Sequence, residues 1–94
     1  MIRPELAALT LEAPAALCYG GRSADVGASV WRALALLRER AGSAGKCEVC
    51  ERVWGVREVA KRTLASLCHR ANEKLEAVGA PLRCGVDGDF IRLF

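Results

Sequence analysis

Aromatic residues are scarce in this chain of 94: two Trp, two Phe and one Tyr make up 5% of it. A core built from it must therefore rest on Leu, Val and Ala. Histidine occurs once, at position 69, and it is expected to stand without an acidic partner or an adjacent nucleophile. There is no Gly-rich phosphate loop and no pair of carboxylates at catalytic spacing, so an enzyme is not expected and no cofactor is implied. Long apolar runs are missing too. The longest uncharged stretch, Ala13–Gly21, has nine residues, far short of a bilayer span. The N-terminal stretch through Pro14 carries Glu5 and Glu12 and has no apolar core, which predicts no signal peptide, no membrane partner and a cytoplasmic location. Five cysteines, an odd number, disfavour a secreted disulfide scaffold and suit reduced thiols.

What the chain does have is 52% hydrophobic and 27% charged residues, a composition that suits one folded domain over 1–94. The net charge of +3 is unevenly spread. Residues 31–78 hold ten Lys or Arg against six Glu, with Arg52, Arg57, Lys61 and Arg62 close together, while the flanks are neutral or slightly acidic. A local excess of this kind can meet phosphate.

The apolar and alternating runs Leu9–Glu12, Ala16–Tyr19 and Ser23–Val26 surround a Gly20-Gly21 turn and predict a small antiparallel sheet. Ser29 is expected to cap a first helix with Val30, Trp31, Leu34, Leu37 and Ala41 on one face, ended by Gly42. Ser43–Gly45 is expected to be a connector. Cys47–Trp54 makes a second helix with Val49, Cys50 and Val53 inward, and Val56–Lys61 is expected to be short and helical. A third helix over 58–78 carries Leu64, Leu67, Cys68, Ala71, Leu75 and Val78 at helical spacing, with Gly79 and Pro81 to end it. Its length predicts that part of it projects beyond the body. Residues 82–93 form a hairpin turned at Asp87-Gly88. The expected fold is α+β: a small N-terminal sheet, three helices and a C-terminal hairpin, the plan of a winged helix-turn-helix.

Four stretches resemble the DNA-binding domain of OmpR/PhoB-type response regulators, and are similar to the N-terminal domain of Streptomyces-antibiotic-regulator activators. They are Ser29–Leu37, Cys47–Gly55 with its Val-Trp-Gly ending, the register Arg62-Thr63-Leu64 through Arg70 to Lys74-Leu75, and the hairpin Gly85–Leu93. The resemblance implies a bacterial transcriptional regulator that binds double-stranded DNA, with the third helix in the major groove and the hairpin as wing. It also implies dimers on repeated half-sites and RNA polymerase as a second partner. Asn72 and Glu73 stand where that family tends to be positive.

On this reading Arg62, Thr63, Ser66, His69 and Arg70 face DNA, with Lys74 in the same register, and Lys46, Arg52 and Lys61 serve as phosphate contacts. The alternative is a winged helix that docks a protein, a partner subunit or the polymerase. Cys47-x-x-Cys50 lacks the second pair typical of zinc sites, although Cys68, His69 and Cys84 could complete a ligand set. Cys50 and Cys68 sit on apolar stripes, where cysteine acts as a small hydrophobe, so no metal site is expected.

Overall fold

The computed structural model describes residues Pro4–Phe94; the first three residues of the expected 1–94 domain lie outside the described residues. The described residues form an α+β fold with four helices and two small antiparallel sheets. A five-residue helix α1 (Pro4–Ala8) leads into β1 (Thr10–Glu12), β2 (Ala16–Tyr19) and β3 (Arg22–Asp25), paired in the order β1-β2-β3. The register Leu17↔Ala24 and Leu11↔Leu17 turns Leu17 inward, where it is fully buried. Three helices follow: α2 (Gly27–Glu39), α3 (Lys46–Trp54) and α4 (Lys61–Ala77). The chain ends in the hairpin of β5 (Cys84–Asp87) and β6 (Phe90–Leu93). Its turn is Gly88-Asp89, one residue past the expected Asp87-Gly88, because Asp87 pairs with Phe90 in the ladder and Gly88 supplies the positive φ, +60°, at the first turn position. No helix among the described residues is long and apolar enough to cross a membrane.

One apolar cluster joins these elements. Leu34, Leu36 and Leu37 of α2, Val49 of α3, Leu67 and Leu75 of α4, and Leu82 and Ile91 beside and within the hairpin have essentially no exposed surface. Each such leucine contributes roughly 1.5–3 kcal/mol relative to leaving it in water. Polar groups fasten the outer parts to it. Trp31 Nε1 donates to the Glu12 carbonyl at 3.1 Å, and Arg38 Nε donates to the Leu9 carbonyl at 2.6 Å. The second bond, with a longer one from Arg38 Nη2 to the Ala7 carbonyl, receives the C-terminal end of α1.

Four further expectations are corrected. Ser29 does not cap α2: the helix begins at Gly27, Val26 holds the cap position without a side-chain bond, and its amide is taken by the Ala15 carbonyl at 2.9 Å. Residues Ser43–Gly45 are not a connector but a strand, β4, paired with β6 in the register Ser43↔Arg92, Ala44↔Ile91 and Gly45↔Phe90. This makes β6 the centre of a second sheet, β4-β6-β5. Residues 56–60 are not helical. Gly55 turns the chain at φ +73°, and α4 starts at Lys61 rather than near 58. Nor does α4 overhang the body. Its stripe is buried from Leu64 to Val78, because the chain returns along its inner side through Ala80, Leu82 and Cys84, all buried. The turn that reverses the chain closes through bonds from the Gly79 amide to the Glu76 carbonyl and from the Ala80 amide to the Leu75 carbonyl.

Candidate nucleic-acid interface

Helix α4 contains no Gly or Pro and is rich in strong helix formers, so 17 residues run without interruption. Because its buried stripe occupies one side, the residues three and four apart on the other side are forced into one exposed row. Arg62, Ser66, His69 and Glu73 form that row, with Arg70 beside it. Thr63 and Lys74, at the edge of the row, are half-buried. His69, whose side chain is 77% exposed, lies 3.3 Å from Glu73 Oε1, one turn on, so the expectation that it lacks an acidic partner is corrected. The exposed face is basic over its first three turns, with Lys61, Arg62 and Arg70, and acidic beyond them, with Glu73 and Glu76.

A groove of about 790 Å³ opens at the start of α4. It is bounded by the start of α3, the 57–59 segment and the hairpin, and Lys46, Arg57 and Lys61 stand along it. Lys46 is the first residue of α3 and Lys61 the first of α4, and neither helix has a side-chain cap. The Lys46 amide donates to the Asp89 carbonyl at 2.9 Å, which ties the hairpin turn to α3. Two expected phosphate contacts, Lys46 and Lys61, are thus brought together. Arg52 is not among them. It bonds Glu39 at 3.0 Å, next to the Arg40–Glu48 pair at 2.6 Å, in a network that joins the end of α2 to α3. The Arg40 guanidinium is held above its ordinary pKa by its hydrogen bond to Glu48. Solvent-exposed pairs of this kind add little to stability.

Arg57 belongs to the basic cluster of the sequence but not to the expected phosphate contacts, and it too lines the groove. Its place there follows from the non-helical 56–60 segment, which a local pattern of Val, Arg and Glu does not reveal. In the hairpin, Arg92 Nε bonds Asp87 Oδ2 at 2.6 Å and the guanidinium lies over the Phe90 ring at 5.6 Å, so this cation is already neutralised. Val56, Val86 and Phe90 are each about half exposed (47%, 47% and 46%).

Among the described residues, no three His, Cys, Asp or Glu side chains gather as a metal site. Of the five residues Cys47, Cys50, Cys68, His69 and Cys84, the fold brings Cys68 and Cys84 together, both buried, while Cys47 and His69 are exposed. Burial pushes the Cys50 thiol above its ordinary pKa and keeps it protonated. Asn72 is accounted for by structure. Its amide bonds the backbone of Cys84 twice, Nδ2 to the carbonyl at 3.0 Å and Oδ1 from the amide at 2.6 Å.

No family model, curated protein or solved structure matches the chain.

Proposed function

We propose that this protein is a winged helix-turn-helix domain that binds double-stranded DNA sequence-specifically, as a bacterial transcriptional regulator does. In this reading α4 is the recognition helix and the β5–β6 hairpin the wing. The observation that carries the proposal is the exposed row Arg62–Ser66–His69 with Arg70, on a helix whose other side is locked into the core along its length. A rigid helix with this face suits a major groove, where Arg bonds guanine and Ser reaches base edges or phosphate. Lys46 and Lys61, at two uncapped helix starts beside one groove, then meet phosphates, which helix N-termini also favour. The acidic end of α4 faces away from the duplex axis in such a pose, so the first three turns, through Arg70, do the reading.

Fluorescence anisotropy on duplexes selected from a random pool tests this. Arg62→Ala and Arg70→Ala are each expected to weaken binding to the selected site by about 5- to 100-fold. Lys46→Ala is expected to weaken binding to all duplexes alike and to flatten the salt dependence by about one charge. Absence of binding to any duplex at low salt overturns the reading.

The exposed Val56, Val86 and Phe90, with the internally paired Arg92, favour a second reading, in which this end of the domain docks a protein. Under it, Phe90→Ser abolishes capture of the partner while the Arg62 and Arg70 variants leave it intact.

A further inference from the structure

Two buried thiols meet where α4 touches the hairpin. Cys84 Sγ lies 3.5 Å from Cys68 Sγ, across 16 residues of chain, with Cys68 6% and Cys84 5% exposed. Neither is bonded to another cysteine. The contact is held from both sides. Cys68 belongs to the buried stripe of α4, between Leu64, Leu67 and Ala71. One turn further on, Asn72 grips both backbone polar groups of Cys84. The backbones that carry the two sulfurs are therefore held close, and closing from 3.5 Å to the ~2.05 Å of a disulfide is a change of about 1.5 Å between the sulfurs.

We propose that Cys68 and Cys84 form a reversible disulfide under hydroperoxide, a covalent modification site that joins α4 to strand β5. Cys68 is the attacking thiol. It accepts the hydrogen bond from Cys84, which favours its thiolate and lowers its pKa, whereas the same bond and burial hold Cys84 protonated. The Cys68 thiolate attacks one oxygen of hydrogen peroxide, the O–O bond breaks, and the departing hydroxide takes up the proton that the Cys68 thiol released and leaves as water, giving a sulfenic acid. The Cys84 sulfur then attacks the Cys68 sulfur. The S–O bond breaks, and the departing hydroxide takes the Cys84 proton as water. In sum two thiols are oxidised to one disulfide and one peroxide is reduced to two waters. A small oxidant suits the low exposure of both sulfurs, and a thiol reductant reverses the reaction by exchange. Cys47, exposed on α3, takes no part. The site does not depend on DNA binding, and its chemistry is read directly from the thiols.

The folded wild-type protein is treated with hydrogen peroxide, alkylated after denaturation without reductant, and mapped by mass spectrometry. The five free thiols are expected to fall to three, with residues 68 and 84 in one cross-linked peptide, and dithiothreitol is expected to restore all five. In Cys84→Ala, treated under conditions where circular dichroism shows a folded protein, no cross-linked peptide is expected and oxidation of Cys68 is expected to slow, because the variant lacks both the resolving thiol and the hydrogen bond that favours the Cys68 thiolate. The proposal is overturned if Cys68 and Cys84 stay free in the folded wild-type protein while Cys47 is oxidised. It is equally overturned if the cross-link forms only after unfolding. The wild-type map decides the matter even if the variant does not fold.

Discussion

Replacing Gly42 by alanine is expected to destabilise the protein by about 2–4 kcal/mol, read as a shift in the midpoint of chemical denaturation at unchanged slope. Helix α2 ends in a pair of reverse-turn bonds, from the Ala41 amide to the Arg38 carbonyl at 3.3 Å and from the Gly42 amide to the Leu37 carbonyl at 2.7 Å. Ala41 already occupies the left-handed position, at φ +57°. Gly42 follows at φ +101°, outside the left-handed basin that an L residue can enter at moderate cost. Torsional strain is only part of the effect. A Cβ on Gly42 would lie 3.0 Å from the Leu93 carbonyl oxygen and 3.4 Å from Leu6 Cδ2. Of these, the first is backbone of the central strand β6, and Leu93 also donates its amide to the Gly42 carbonyl at 2.7 Å. Relief of the clash therefore pushes apart the joint between α2, β4 and the hairpin. Gly55→Ala is the control. That position has φ +73° and nothing within 4 Å of a built Cβ, so only the left-handed cost of about 1–2 kcal/mol applies. Equal effects at the two positions would show that the Leu93 contact carries no weight.

The same joint shows where sequence reasoning reaches and where it stops. Gly42 is legible as a helix terminator, and the leucines before it as a buried face, because both signals are local. Strand β4 is not. Ser, Ala and Gly have little strand preference, and Ser43–Gly45 is extended only because β6, some 45 residues on, offers it a partner in register. Likewise α1 is too short to persist alone, and the groups that receive its end come from Arg38, far along the chain. The 56–60 segment has a helix-like mix of Val, Arg and Glu, yet Gly55 redirects the chain and leaves Arg57 at the groove. For the candidate interface, the period of α4 was enough to sort Arg62, Ser66, His69 and Arg70 outward from Leu64, Leu67, Ala71 and Leu75. The nearness of His69 to Glu73, four residues on along the same helix, was legible in the spacing. Periodicity says nothing about pairing between helices, so the engagement of Arg52 by Glu39 emerges only in three dimensions. The meeting of Cys68 with Cys84 is of the same kind: each reads as a small apolar residue until the hairpin is folded back onto α4.

Asn72 is the clearest case, and its removal has the second large expected effect. Strand β5 lies at the edge of its sheet, with β6 on one side only. Arg83 and Phe94 exchange both of their backbone bonds, at 2.6 and 2.8 Å, so the next pair, Cys84 and Leu93, points its polar groups away from one another. The amide and carbonyl of Cys84 are thus left on the edge, facing α4. A primary amide carries one donor and one acceptor in the same arrangement as a peptide unit, and Asn72 pairs with Cys84 as a further strand would. Asn72→Ala removes two bonds and leaves two part-buried backbone groups without their partner, a loss of about 2–4 kcal/mol. Asn72→Asp separates hydrogen bonding from packing. The carboxylate still accepts from the Cys84 amide but repels its carbonyl, so the destabilisation is expected to be at least as large above the carboxylate pKa and to shrink as acid protonates the side chain and restores a donor. Hydrogen exchange locates the effect: amides of β5 are expected to lose protection before those of α2, since the clamp holds the hairpin to α4 and not the helices to one another. Uniform loss across the chain, or no loss of stability in Asn72→Ala, would show that apolar packing alone seats the hairpin.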